Sequence, residues 1–181
     1  SGKAYYPGPS NPDAEFTGEL IKEIIGDDVS LGMTKFYRRA CFDAIGGLVQ
    51  SVMWDGVDCY KARMHGWRVR SIDRPDLRFI HLRPMGSSDR NILIGRQRHG
   101  RGHWYMESSP VFVLATALYR MRFAPAVVGS LAMLWGYAKA GLTRQPRIAD
   151  PAFRRYLRRY QWAMMRHGKA EAMRRFESEA G

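Results

Sequence analysis

Apolar and polar positions change rhythm several times along this chain, and each change predicts an element. Residues 1 to 14, rich in Pro, Gly, Ser and Asn, predict an irregular lead-in. From Glu15 to Ile25, Phe16, Leu20, Ile21, Ile24 and Ile25 recur at helical spacing with Glu and Lys between them, which predicts a short amphipathic helix. Gly26-Asp27-Asp28 stops it. Lys35-Phe36-Tyr37-Arg38-Arg39 alternates aromatic and basic side chains, the rhythm of a strand or an extended segment. Ala40 to Ile45 predicts one or two helical turns closed by Gly46-Gly47.

Val57 to His65 predicts a helix with Gly66 as its glycine stop. Trp67 to Ser71 and, more loosely, Leu77 to Leu82 alternate and predict short strands. Helix followed by strand, repeated, is an α/β signature. Pro84 to Ser88 reads as a loop. Gly95 to Gly102 packs three Gly, three Arg and one His into eight residues, which predicts mobile backbone carrying phosphate-seeking side chains.

The character changes near Pro110. Val111 to Tyr119 is apolar, and Phe123 to Ala138 runs sixteen residues without a formal charge. As a helix it would span about 24 Å at 1.5 Å per residue, short of the roughly 30 Å hydrocarbon core of a bilayer. Pro125, Gly129 and Gly136 weaken a membrane span further, so helices lying at the membrane interface or packed on the domain are expected. Asp150-Pro151 marks a helix start, with Asp as cap and Pro at the first helical position. Phe153, Tyr156, Leu157, Tyr160 and Met164 then keep helical period, while Arg154, Arg155, Arg158 and Arg159 fall elsewhere on the cylinder. Such a helix either lies on a membrane surface or covers the rest of the protein with a solvated basic face. The organisation expected is a lead-in and helix over 1–28, a domain part over 29–108 and apolar and basic helices over 109–181.

Charge sharpens this division. The 29 Lys and Arg against 17 Asp and Glu leave net +12, but residues 1 to 119 carry only +3 and residues 120 to 181 carry +9. The basic tail predicts attraction to an anionic partner, either a nucleotide, a nucleic acid or a membrane surface. No finger, ribonucleoprotein or helix-turn-helix signature is present, which argues against nucleic acid. Cys41 and Cys59 make no disulfide framework and no metal knuckle, so a reducing compartment is the default. The chain opens Ser1-Gly2-Lys3, with neither an initiator Met nor a signal-peptide pattern, and is read as an arbitrary cut from something longer.

Candidate chemistry centres on Trp54-Asp55-Gly56-Val57-Asp58, two carboxylates three residues apart at the start of the predicted helix. Asp caps helices well, and taken alone the pair reads most simply as caps. Its neighbours add a second reading. The succession Lys35 to Arg39, Phe42, Ile45-Gly46-Gly47, Trp54 to Asp58, Gly66-Trp67 and His81-Leu82-Arg83-Pro84 resembles the second half of an inverting family 2 glycosyltransferase, of the bacterial and often membrane-associated kind. The likeness covers roughly residues 29 to 105 by motif order.

That resemblance implies the C-terminal half of a GT-A sheet, a Rossmann-like α/β fold, followed by the helical basic tail. It implies that Asp55, by its spacing from Gly66, is the general base, with Asp58 as cap or as a partner sharing the role. Trp54 stands where the family commonly has Glu. It further implies a nucleotide-sugar donor, a glycan or lipid-linked acceptor, and a place at the cytoplasmic face of the plasma membrane beside anionic lipid. Arg38, Arg83, Arg96, Gln97, Arg98, Arg101, Trp54 and Trp104 are candidates for acceptor or phosphate contacts. The spacing of Gln97, Arg98, Arg101 and Trp104 does not match the motif of processive members. His81 is a candidate metal or phosphate ligand, or a strand-end histidine satisfied by backbone. The divalent metal, Mg or Mn, belongs to the complete enzyme, because the family's Asp-x-Asp motif does not occur in residues 1 to 181. A different class of function, a non-catalytic basic module binding anionic membrane or nucleic acid, explains the tail equally directly.

Overall fold

The computed structural model describes residues 1–7, 20–22, 29–30, 32–80, 91–123 and 125–178. Helices dominate these residues, accompanied by a small sheet that includes a parallel pair. The sheet has three short strands, β1 (Ala4–Pro7), β2 (Leu20–Lys22) and β3 (Phe79–Ile80), in the order β2-β1-β3. β1 pairs antiparallel with β2, Tyr5 facing Lys22, and parallel with β3, Ala4 facing Phe79. Two expectations change here. Ala4 to Pro7 is a strand rather than part of an irregular lead-in, and Leu20 to Lys22 is its partner rather than helix. Pairing with a neighbouring strand has overridden local helical period, as tertiary context commonly does.

A third change concerns Trp67 to Ser71, which runs without ladder pairing; only its neighbour Ile72 makes an isolated bridge, to Gly2. Val69 points inward to a core of Cys41, Ile45, Cys59 and Ala62, while Arg68 and Arg70 face out, so the alternation reflects burial without a sheet.

α1 (Arg39–Ala44) ends where Gly46 and Gly47 take φ of 71° and 74°, and α2 (Trp54–Met64) ends at Gly66 with φ 78°, each in the left-handed region that suits glycine. α2 starts three residues earlier than the period predicts. Asp55 therefore stands in its first turn and Asp58 in its second, neither at the cap; the cap position is Met53, itself left-handed at φ 65°.

The largest correction is at Gly95 to Gly102. It is no loop: α3 (Ile92–Tyr105) runs through it, begun by Asn91, whose side chain accepts from the Ile94 amide at 2.9 Å. Its glycines serve packing. A Cβ on Gly100 would lie 2.0 Å from the carbonyl oxygen of Met133, and one on Gly136 would lie 2.1 Å from that of Gln97. α3 and α5 (Ala126–Leu142) thus touch backbone to backbone.

α4 (Pro110–Arg120) and α5 form a hairpin around Val113, Ala117 and Met133. α6 (Pro151–His167) starts as predicted, with Asp150 accepting from the Phe153 amide at 2.9 Å. Its apolar side is core. Phe153, Leu157 and Tyr160 are fully buried, the first two against Val57 and Met106 and the third against Ala172 and Phe176 of α7 (Lys169–Ser178). Of the two readings of this helix, the one with its basic face in solvent is what the fold adopts. Among the described residues no helix is long and apolar enough to cross a membrane.

Candidate functional site

Period-two alternation in the extended segment before α1 builds the site. Lys35 and Tyr37 turn inward, whereas Phe36 is 89 % exposed and Arg38 is exposed. Both inward groups reach Asp58. The Lys35 ammonium donates to Asp58 Oδ1 and the Tyr37 hydroxyl donates to Asp58 Oδ2, so the carboxylate has a donor on each oxygen. The Lys35 and Asp58 side chains are 4 % and 3 % exposed, a fully desolvated ion pair. Burial, then the bond to Asp58, pushes the Tyr37 phenol above its ordinary value and keeps it a donor.

Lys35 also ties the second carboxylate into the cluster. Its ammonium donates to the main-chain carbonyl of Asp55 at 2.6 Å, lies 3.4 Å from Cys59 Sγ and stands 5.3 Å from the centre of the Trp54 ring. Gly32 packs against this corner, its α-position so close that a Cβ would lie 2.8 Å from the Trp54 ring. Burial raises the Asp55 carboxyl above its ordinary value. The Lys35 charge opposes that, Asp58 adds to it, and the amides of Asp55 and Gly56 at the start of α2 oppose it. Asp55 is thus the carboxylate with proton affinity to spare, and Asp58 the one already committed to donors. Burial likewise raises the thiols of Cys59 and Cys41.

A cleft of about 490 Å³ opens over this cluster, lined by Lys35, Phe36, Tyr37, Arg38, Asp58 and Cys59 on one side and by Trp67, Arg68 and Arg70 on the other. Arg70 is engaged by Glu177 through two bonds of 2.5 and 2.6 Å, while Arg38 and Arg68 are exposed at the cleft. Asp55 does not line it; Lys35, bonded to both, connects Asp55 to the cleft wall.

The candidates on α3 are not brought here. A helix distributes Arg96, Gln97, Arg98 and Arg101 around its cylinder, where a loop would have let them converge. Arg98 and Arg101 are exposed, Gln97 abuts Gly136, and Arg96 runs beside the start of α5 near Arg120. Trp104 is structural. Its indole donates to the Gln145 carbonyl at 3.0 Å, its ring meets Tyr137 edge-on, and the Arg147 guanidinium lies 3.7 Å from its centre. His81 and Arg83 lie outside the described residues. Among the described residues no three His, Cys, Asp or Glu side chains come together as a metal cage requires.

Lys35 and Arg68 are residues that sequence reasoning did not single out as site members. The alternation around Phe36 is the signal that pairs Lys35 with Tyr37, since residues two apart in an extended segment share a face. Nothing in the sequence announces that this face meets α2. Comparison with protein families, with curated proteins and with solved structures finds no match to this chain.

Proposed function

We propose that the chain is the acceptor-side part of an inverting sugar transferase of the family 2, GT-A kind, and that Asp55 is its general base. The acceptor hydroxyl attacks the anomeric carbon of a nucleotide sugar, its proton passes to the Asp55 carboxylate, and the bond to the nucleotide diphosphate breaks on the opposite face. The observation that carries this reading is the unequal pair. Asp58 has both oxygens taken by Lys35 and Tyr37, whereas Asp55, one helical turn away, has its proton affinity raised by burial. A carboxylate whose proton affinity is raised is the better general base. Lys35 is a positioning residue, holding Asp55 main chain and Asp58 side chain at once. Arg38 and Arg68 place positive charge at the neighbouring cleft, which Asp58 lines and Asp55 does not. The donor half and its divalent cation belong to a longer protein, and the chain by itself is expected to turn over feebly or not at all.

The experiment is Asp55→Asn in that longer protein, with donor affinity and turnover measured separately. Loss of turnover with donor binding retained is the expected result; unaltered turnover overturns the assignment.

A further inference from the structure

The α4–α5 hairpin leaves its outer side uncovered, and that side is apolar. On α4, Val111, Leu114 and Leu118 are each more than half exposed and recur at three and four residues, one stripe of a helix. On α5, Val128, Leu131 and Trp135 do the same, with Trp135 53 % exposed. Past the α4 stripe, the Tyr119 and Phe123 rings are 5.6 Å apart and both exposed. The opposite sides of both helices are spent on the core around Val113, Ala117 and Met133 and on the backbone contact with α3. Exposed apolar stripes of this kind mark an interaction face.

Charge decides what it meets. Between Glu107 and Asp150 the sequence holds no carboxylate and five cations, Arg120, Arg122, Lys139, Arg144 and Arg147. Arg122 lies over the Tyr119 ring at 5.6 Å, beside the apolar stripe, and Lys139 and Arg144 are exposed toward its other end. Apolar residues with exposed aromatic rings, rimmed by cations and free of acids, complement the surface of an anionic lipid leaflet. We propose that the outer face of the α4–α5 hairpin seats the protein in the headgroup region of an anionic bilayer, both helices lying in the plane and neither crossing it. The insertion is shallow, of the order of 5–10 Å, the depth at which interfacial helices sit. The basic helix α6 takes no part through its apolar side, which is buried in the protein. The seat bears on the transferase reading only by favouring a membrane-linked acceptor. Its test needs neither donor nor turnover, so failure of either leaves the other standing.

The test is sedimentation of the purified chain with vesicles of phosphatidylcholine, with and without about 30 % phosphatidylglycerol, at low and high salt. Binding at least about tenfold stronger to the anionic vesicles is expected, as are a blue shift of tryptophan emission and its quenching by brominated lipid. Trp135→Phe should remove the shift and the quenching while leaving binding largely intact; Leu131→Glu should reduce binding about tenfold or more. Both positions are exposed, so neither change disturbs the fold. Absence of vesicle binding overturns the proposal. So does binding that Leu131→Glu leaves unchanged and whose tryptophan signal Trp135→Phe does not remove, which would locate the contact on α6, where Trp162 is also exposed. Self-association abolished by Leu131→Glu, without vesicle binding, would instead make the face an interface between copies and equally overturn it.

Discussion

Lys35 bonds the main-chain carbonyl of Asp55 at 2.6 Å while its ammonium also neutralises Asp58, so one side chain from an extended segment fixes two turns of α2. A lysine that is 4 % exposed has no water to fall back on. Losing it leaves Asp58 buried with only the Tyr37 hydroxyl, and breaking a buried pair from one side costs about 3–5 kcal/mol. Lys35→Met is expected to lower stability by that order in urea denaturation. Lys35→Met with Asp58→Leu is expected to recover most of the loss, because removing both charges leaves no unpaired ion. A double variant as unstable as the single one would contradict this account.

Asp55 gives a pH dependence of the opposite sense from an ordinary salt-bridged carboxylate. Its folded value is raised above 3.8, so across that window the folded chain keeps a proton the unfolded chain has released. Stability therefore falls as pH rises through the window and stays lower above it. Asp55→Asn holds the site neutral. It is expected to raise the urea midpoint near neutral pH, with the two proteins converging below about pH 4. Greater stability combined with lost turnover is the pattern of a functional residue kept at a cost to the fold.

His99 and His103 predict an acid limb. Burial lowers both to about 4, with the arginines Arg96, Arg98 and Arg120 adding to it for His99, and His99 and Arg120 for His103. His103 Nδ1 lies 3.1 Å from the Ser108 hydroxyl, which also accepts from the Gln161 side-chain amide at 2.9 Å. Between the ordinary value of 6.5 and about 4 the unfolded chain binds protons that the folded chain refuses. Stability is complete above 6.5 and is lost progressively as pH falls toward 4. For His103 alone the loss is about 3 kcal/mol. His103→Gln is expected to flatten that limb in stability measured against pH; an unchanged slope would assign it elsewhere.

Glycine positions on three helices give effects of opposite sign. Alanine is the better helix former by about 1 kcal/mol, and Gly56 in α2 has nothing within 4 Å of where a Cβ would stand. Gly56→Ala is expected to stabilise by roughly 0.5–1 kcal/mol. Gly100→Ala and Gly136→Ala place the same methyl about 2 Å from backbone oxygens that cannot swing aside. Each is expected to destabilise by more than about 2 kcal/mol despite the propensity gain. Thermal unfolding of the three variants checks this directly.

Much of the local structure is legible in the sequence because it is decided within a few residues. Asp150-Pro151 sets the start of α6, and Gly46-Gly47 and Gly66 take the left-handed backbone that ends α1 and α2. The alternation of Lys35 to Arg38 fixes which side chains share a face. The candidate base is legible only through the order of its neighbours.

What the sequence determined by itself was the local chemistry, namely caps, glycine stops, the inward and outward faces of each segment, and a basic tail free of acids over a long apolar run. Only the tertiary structure decided what those faces meet. Gly95 to Gly102 reads as a phosphate-seeking loop, and is helix because its glycines let α3 lie against the backbone of α5. The amphipathic period of α6 is the same whether its apolar side faces lipid or protein, and the fold buried it. Only the fold brings Lys35 and Tyr37, more than twenty residues earlier, onto the two oxygens of Asp58. Contacts between distant segments have no local signature, because burial and pairing are properties of the assembled surface and not of any one stretch that forms it.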